Sequence, residues 1–451
     1  MNKLSWSKRI LVATTLFGMF FGAGNLIFPI HLGQLAGNNY ILAIIGFCIT
    51  AVGIPILAVA AIGNTHSSGL QELASRVSNK YGAIFTLLLY LTIGPFFAIP
   101  RCATVSYTTG IEPLIGEDYQ WLALLLFSLI FFILVLIMSL KNDKITLWIG
   151  KIINPLFLIF LFVLIIVCLF SQGGDINSVL PDASYQSNTF FNSFIEGYGT
   201  MDAIAGLAFG ILVIEIIKGL NIKDDSKIAK EVIISGSITA ILMLVIYALT
   251  IIMGVKSRTI FELSENGGIA FREVAYYYLG NTGSIILAIT ITLACLKTSI
   301  GLVTACSETF TKLFKNKISY KKWVYIITIF AFIVSNIGLS QIINYSLPVL
   351  MFLYPLAITL TILALSEKLF NKSKYVYCSV TIFTGIAAFF DLIKTLPSEI
   401  VNSLHLQSII DFVGKVLPLY DLNLGWIIPA LIGLIIGIII TYIKNKKILI
   451  K

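Results

Sequence analysis

Three ionisable side chains fall deep inside long apolar stretches of the sequence: Arg101, Asp202 and Lys297. A charge at that depth costs at least about 2.5 kcal/mol, so such residues usually serve a functional site or an ion pair. The Asp202 carboxylate suits a cation or an ammonium group, or it caps a broken helix. Arg101 pairs with Asp202 or caps a helix that is kinked by proline. Lys297 precedes the hydroxyls of Thr298 and Ser299, and three roles stay open for it: a substitute for a bound cation, a titrating group, or half of an ion pair.

Two of the apolar stretches are interrupted by glycines, at residues 20–29 (FFGAGNLIFP) and 196–210 (EGYGTMDAIAGLAFG). Glycine lets a helix break, and a break at membrane depth is tolerated only where the freed backbone lines a cavity or touches a ligand. The alternative is close helix packing through small residues, but Asn25 and the pair Phe28-Pro29 favour a break. We therefore predict that the first and the sixth membrane helix are broken.

A broken helix offers a complement to both charges of an amino acid. Its second half begins with free N–H groups, here those of Ala23, Gly24 and Asn25, which suit a carboxylate. Its first half ends in free carbonyls, here near residues 18–21, which suit Na⁺ or an ammonium group. The remaining lining is apolar and predicts an aliphatic substrate; it comprises Phe21, Ala23, Met201, Ile204 and Phe209.

The composition is that of a polytopic membrane protein. Of 451 residues, 58% are hydrophobic and only 12% are charged, whereas charged residues normally make up about a quarter of a soluble chain. The six cysteines all fall inside apolar stretches and form no CxxC pair, which argues against a disulfide framework and a zinc site. The first stretch is too long for a cleaved signal peptide.

The sequence predicts an all-α fold with twelve transmembrane helices, because a crossing needs about 20 apolar residues. Spans one and six run in opposite directions, so we predict two inverted five-span repeats, residues 1–170 and 192–366, followed by two additional spans in residues 375–443. The predicted spans are 9–32, 40–62, 82–109, 119–140, 148–170, 192–217, 231–254, 279–311, 323–339, 343–366, 375–396 and 424–443.

The basic residues predict the orientation of the chain. Most of the 31 Lys and Arg residues fall in loops on the same side as the N-terminus, which places both termini in the cytoplasm. The same bias accounts for the net charge of +9 without a nucleic-acid partner. The basic residues predicted on the outer side are Lys256, Arg258, Arg272, Lys394 and Lys415.

Taken together, these motifs resemble the branched-chain amino-acid:cation symporter family (system II carrier proteins), which is related to the leucine-transporter fold. The resemblance spans essentially the whole chain and is carried by residues 20–29, 94–101, 103–107, 197–210 and 294–301. It implies uptake of leucine, isoleucine and valine across a bacterial inner membrane, coupled to Na⁺ or in places to H⁺. It implies the amino acid and the lipid bilayer as partners, with no obligatory protein partner.

The resemblance also implies roles for individual residues. The substrate contacts would be Phe21, Gly22, Ala23, Gly24, Asn25, Tyr107, Thr200, Met201, Asp202, Ala203 and Gly206. Asn25 and Thr200 would serve a Na⁺ site beside the substrate. A second Na⁺ site would take the carbonyls of Gly18 and Phe21 together with Cys295, Thr298 and Ser299. Lys297 stands where the family usually has a threonine. The comparison implies that its ammonium group could take the place of the second cation. Coupling would then use one Na⁺ or a proton.

Other functions fit the sequence less well. An enzyme needs a catalytic histidine or paired carboxylates within the spans, yet the three histidines lie at or beyond span ends and Asp202 has no obvious partner. There is no GxxxxGK[ST] loop for an ATP-driven pump. Residues 197–200 (GYGT) resemble part of a potassium filter, but a cation channel would leave the two broken helices unexplained. Within transporters, the alternative is a proton-coupled or exchanging amino-acid carrier of the same fold.

Overall fold

A computed structural model describes residues 4–65, 67–141, 145–171, 174–222 and 224–449, and within these ranges the chain is helical with no β-strand. The helices are α1 (Trp6–Phe20), α2 (Gly24–Ala36), α3 (Tyr40–Cys48), α4 (Ile54–Thr65), α5 (Leu70–Ala74), α6 (Asn79–Leu91), α7 (Ala98–Gly110), α8 (Gln120–Lys141), α9 (Ile145–Phe170), α10 (Thr189–Glu196), α11 (Asp202–Gly219), α12 (Asp225–Ser257), α13 (Gly267–Leu313), α14 (Tyr320–Ser335), α15 (Leu339–Ser366), α16 (Lys374–Lys394), α17 (Ser398–Ser403), α18 (Gln407–Val416) and α19 (Ile427–Leu449).

Each predicted span overlies one or two of these helices. Among the described residues, eight helices are long and apolar enough to cross a membrane, or nine if the bent pair Thr189–Thr200 and Asp202–Gly219 counts as one span. The number is smaller than twelve partly because α1 alone has 15 residues and because α2, α3 and α4 form one near-continuous helical run, Gly24–Thr65. The count of twelve crossings and the inverted repeat therefore stay predictions.

The side chains are distributed as a bilayer requires. Large aliphatic residues lie on the exposed face of α8, for example Leu126, Ile130 and Ile133. Such exposure would be costly in water, but lipid is as apolar as these side chains. Backbone polar groups are satisfied within the helices, as a hydrocarbon environment demands.

Helix α2 packs closely on its neighbours because glycines lie at the points of contact. A Cβ atom on Gly33 would lie 2.0 Å from the Ile251 carbonyl oxygen of α12, and one on Gly267 would lie 1.8 Å from the Ile27 carbonyl oxygen. Any larger residue would clash with backbone, so these contacts allow α2 to pack directly on α12 and on the start of α13. The position of α2 determines where the break that precedes it lies.

Ion pairs tie helices together near the predicted cytoplasmic side. The Arg9 guanidinium of α1 donates to both carboxylate oxygens of Glu231 on α12, at 2.7 and 2.8 Å, and Arg76 pairs with the buried Glu367. The bidentate Arg9 contact is the stronger type of charge-assisted hydrogen bond. The Arg9–Glu231 contact thus joins α1 to α12.

Candidate functional site

The first helix is interrupted between Phe20 and Gly24. Phe21 has an extended backbone (ψ 100°) and α2 starts at Gly24. The side-chain oxygen of Asn25 accepts a hydrogen bond from the Gly22 N–H at 2.8 Å, so a side chain replaces the helical bond that the break removes. The first N–H groups of α2 have no intrahelical acceptor, as at every helix start.

A second interruption lies at Met201. Residues Gly197–Thr200 form a 3₁₀ turn, Met201 is left-handed (φ 64°), and α11 begins at Asp202. The two helices on either side are bent by 44°. A left-handed conformation costs a non-glycine residue about 1–2 kcal/mol, and residues held this way cluster at functional sites. The Thr200 hydroxyl supports the turn by accepting from the Asp202 N–H at 3.3 Å.

Three side chains join the two breaks to a third helix. Asn25 donates from Nδ2 to Asp202 Oδ2 at 2.6 Å and also to the hydroxyl of Tyr247 on α12. The Tyr247 hydroxyl in turn donates to Asp202 Oδ2 at 3.1 Å. All three are at most 2% exposed. We call Asn25, Asp202 and Tyr247 the polar triad; it fixes the direction of the Asp202 carboxylate.

Arg101 lies on the other side of the breaks. Its guanidinium donates from Nη1 to the Gly199 carbonyl at 2.6 Å and lies over the ring of Phe28 at 5.2 Å. A Cβ atom on Gly24 would lie 2.5 Å from Arg101 Nη2, so the glycine leaves room for the guanidinium against the break. Arg101 therefore contacts backbone of both interrupted helices.

The two breaks, together with Asn25, Asp202 and Arg101, line a small cavity of about 40 Å³, here called the central cavity. This is room for about three water molecules, so an amino acid would require the surrounding helices to separate. Several predicted site residues line it together: Gly22, Ala23, Gly24, Asn25, Arg101, Thr200, Met201, Asp202 and Thr298. The apolar part of its wall includes Ile93, Phe209 and Leu302.

A second cavity of about 180 Å³ adjoins the central cavity and shares Met19, Phe209, Thr298 and Leu302 with it. Gly18 and Lys297 also line it, so we call it the Lys297 cavity. The Lys297 ammonium donates to the Gly18 carbonyl at 3.4 Å. A positive charge thus lies at one of the carbonyls that a cation site at this break would use.

Sequence comparisons identify the family of this chain. Residues 5–444 match the model of a family described as "branched-chain amino acid transport protein". The chain is 45% identical over 447 residues to the branched-chain amino acid permease BrnQ of Lactobacillus delbrueckii subsp. lactis. It is 40% identical over 447 residues to BrnQ of Bacillus subtilis (strain 168), and in both cases 99% of each chain is covered. This chain belongs to the branched-chain amino acid transport family.

The fold agrees with this assignment. The chain superposes on a solved structure described as the inward-facing conformation of Mhp1 with a TM-score of 0.63 at 13% identity, covering 97% of this chain and 91% of Mhp1. At that identity the likeness shows a shared transporter fold and nothing finer. As a member of this family with several apolar helices, the chain is a multi-pass membrane transport protein rather than an enzyme.

In this family member, the residues predicted for a second Na⁺ site do not all converge. Thr298 lines both cavities, and its methyl group would lie 3.4 Å from a Cβ on Gly22. Cys295 and Ser299, one helical turn apart, instead lie against Cys102 of α7. Lys297 and Thr298 thus line the Lys297 cavity, whereas Cys295 and Ser299 contact Cys102, a residue that lines the central cavity.

Four other predicted substrate contacts are not among the residues that line the central cavity. The Tyr107 hydroxyl donates to the Gln120 carbonyl at 2.9 Å, and Tyr107 lines a separate cavity of about 300 Å³ beside Glu112. Gly206 packs on α4, where an added Cβ would lie 2.7 Å from the Pro55 carbonyl oxygen. Phe21 stacks on Phe17 with ring centroids 4.8 Å apart. Ala203 is buried one residue beyond Asp202.

Tyr247 is the functional candidate that sequence reasoning missed. It lies in the predicted span 231–254, where nothing in the local pattern distinguishes it from other aromatic residues. One signal was available, because a tyrosine in the middle of an apolar span needs a partner for its hydroxyl. The identity of that partner depends on the packing of α12 against α2 and could not be read locally.

Proposed function

We propose that this chain is a secondary active symporter that carries leucine, isoleucine and valine by alternating access. The observation that carries the proposal is the polar triad, which joins the two broken helices beside a cavity that has both polar and apolar walls. The relatives are named branched-chain amino acid permeases, and that name supports the choice of substrate. The small central cavity fits a carrier whose site widens and closes as it exchanges sides.

We propose Na⁺ as the coupling ion, bound by carbonyls of the first break with help from Asn25 and Thr200. The Asn25 side-chain oxygen and the Thr200 hydroxyl both lie at the breaks, and oxygen atoms are the ligands of such hard cations. We place the protein in a bacterial cell membrane with both termini in the cytoplasm, on the strength of the basic loops.

A proton-coupled carrier is the second candidate, and Lys297 favours it. The ammonium contacts the Gly18 carbonyl, which the resemblance had given to a second Na⁺ ion. A lysine there can take the place of a metal ion when it is protonated, and its amine can exchange that proton with the Lys297 cavity. Both candidates share the same fold and the same substrate.

Radiolabelled leucine uptake into proteoliposomes separates the two candidates. A Na⁺ gradient without a pH gradient, and a pH gradient without Na⁺, are imposed in turn, with choline as the replacement cation. Na⁺ coupling predicts accumulation in the first condition only; accumulation in the second condition only would establish the proton-coupled candidate. No leucine uptake in any condition would overturn the proposed function itself.

The variant Lys297→Thr tests the role of the lysine. It removes the ammonium and adds a hydroxyl that can bind Na⁺, so uptake should become more dependent on Na⁺. Lys297→Met is the matched control, because it removes the charge without adding an oxygen ligand. An unchanged Na⁺ dependence in the threonine variant would show that Lys297 does not substitute for an ion.

A further inference from the structure

Arg101 is a buried cation that forms no direct ion pair with a carboxylate among the described residues. The side chain is only 3% exposed. Among the described residues, its one hydrogen bond goes to the Gly199 carbonyl, its Nε has no partner, and no carboxylate oxygen lies within 4 Å of it. A buried charge that is neither paired nor fully hydrogen-bonded is costly, so the position of Arg101 requires a reason.

The chemistry of the guanidinium indicates what is missing. Arginine presents five N–H donors in a planar fork, and that fork matches the two oxygens of a carboxylate. Asp202 does not fill the role, because its Oδ2 accepts from Asn25 and Tyr247 on the far side. A carboxylate that enters the central cavity would meet donors of Arg101 that the protein itself leaves unused.

The location of Arg101 supports the same conclusion. The guanidinium lines the central cavity together with Asp202 and Met201. It also contacts Phe28 and Gly199, which line a larger cavity of about 430 Å³ on the other side. Arg101 therefore lines the central cavity and contacts two residues that line the larger one.

We propose that Arg101 binds the α-carboxylate of the transported amino acid, while the polar triad presents Asp202 to its α-ammonium group. The proposal rests on the proposed function and adds the recognition of the head group to it. With both charges of the zwitterion held, the aliphatic side chain is left to the apolar wall at Ile93, Phe209 and Leu302. The substrate class is thus an aliphatic amino acid with a free carboxylate.

The test compares leucine with leucinamide, which keeps the ammonium group and the side chain but lacks the carboxylate. Each compound competes with radiolabelled leucine for binding to the purified full-length protein. In the unaltered protein, leucinamide should bind at least about 30-fold more weakly than leucine, since loss of a hydrogen-bonded charge partner is worth about 2 kcal/mol or more. Leucinamide that binds as tightly as leucine would overturn the proposal without any variant.

The variants Arg101→Met and Arg101→Lys complete the test. Arg101→Met should weaken leucine binding about 30-fold and leave leucinamide binding unchanged, so that the preference disappears. Arg101→Lys keeps a point charge but not the fork, and it should restore part of the preference. Thr104→Val is the control on the same helix, because among the described residues the Thr104 hydroxyl bonds to backbone carbonyls of α7 alone.

Two outcomes would refute the role of Arg101. If Arg101→Met weakens both compounds equally, the guanidinium only holds Gly199 and Phe28 together; if it weakens neither, the residue is not at the binding site. If the methionine variant fails to fold, Arg101→Lys provides the test. A ratio of leucine affinity to leucinamide affinity equal to that of the unaltered protein would count against the proposal. Failure of the unaltered protein to bind or transport leucine would instead overturn the proposed function, and the role of Arg101 with it.

Discussion

Tyr247→Phe is the sharpest perturbation of the polar triad, because it removes one oxygen atom and leaves the ring. The ring packs edge-on against Phe47 with centroids 5.3 Å apart, so the shape of the core is retained. The lost hydroxyl donates to Asp202 Oδ2 at 3.1 Å and accepts from Asn25. One hydrogen bond to a carboxylate contributes about 1.5–3 kcal/mol.

That energy sets the size of the expected effect. Without the hydroxyl, Asp202 Oδ2 loses one of the two donors that it has among the described residues, and the carboxylate must be ordered again when the substrate binds. At 1.4 kcal/mol per tenfold change, the KM for leucine should rise roughly 10- to 150-fold. Initial rates of radiolabelled leucine uptake into proteoliposomes measure this, with protein orientation and amount matched between samples.

Tyr198→Phe is the matched control. Tyr198 is equally buried and belongs to the turn that precedes the second break, but its hydroxyl has no hydrogen-bond partner among the described residues. Its removal should leave the KM within about twofold. Equal KM values for Tyr247→Phe and the unaltered protein, or equal losses in both variants, would refute the argument that the triad orients Asp202.

Two further predictions concern the second broken helix. Asp202→Asn keeps the shape of the side chain but removes its charge, so leucine uptake should fall at least about 30-fold while the detergent-solubilised protein elutes as before in size-exclusion chromatography; retained uptake would reduce Asp202 to a helix cap. Gly206→Ala would place a Cβ 2.7 Å from the Pro55 carbonyl oxygen, and such overpacking costs about 1–3 kcal/mol. Thermal unfolding should show a lower melting temperature for Gly206→Ala than for Gly385→Ala, whose added Cβ would meet only Leu356 at 3.8 Å; equal melting temperatures would contradict the packing role.

The sequence was a good guide wherever the cause of a feature is local. The interruptions at Phe21 and Met201 lie inside the two stretches that glycines marked, because a helix in an apolar environment breaks only where the backbone permits it. The cost of burying charge singled out Arg101 and Asp202, and the structure places both at the central cavity. Apolar length placed each predicted span on one or two helices, and the count of twelve crossings stays a prediction.

The sequence was a poor guide wherever a feature depends on how a helix is rotated. Tyr107 is on the expected helix, yet its hydroxyl bonds to Gln120 beside a different cavity. Cys295 and Ser299 contact Cys102 of α7 instead of lining the Lys297 cavity beside Thr298. Successive side chains on a helix point about 100° apart, so the sequence gives their directions relative to one another. The rotation of the whole helix about its axis is set by the neighbours against which it packs.

The sequence by itself determined that this chain is a membrane protein with two interrupted helices and a few costly charges within them. Those properties follow from composition, from glycine and from the energetics of charge in lipid, all of which act residue by residue. Only the tertiary structure decided that Asn25 meets Asp202, 177 positions away, that Tyr247 completes the triad, and that Arg101 lines the central cavity. Such meetings depend on close packing between distant segments, through contacts such as that of Gly33 with Ile251, and no local pattern encodes them.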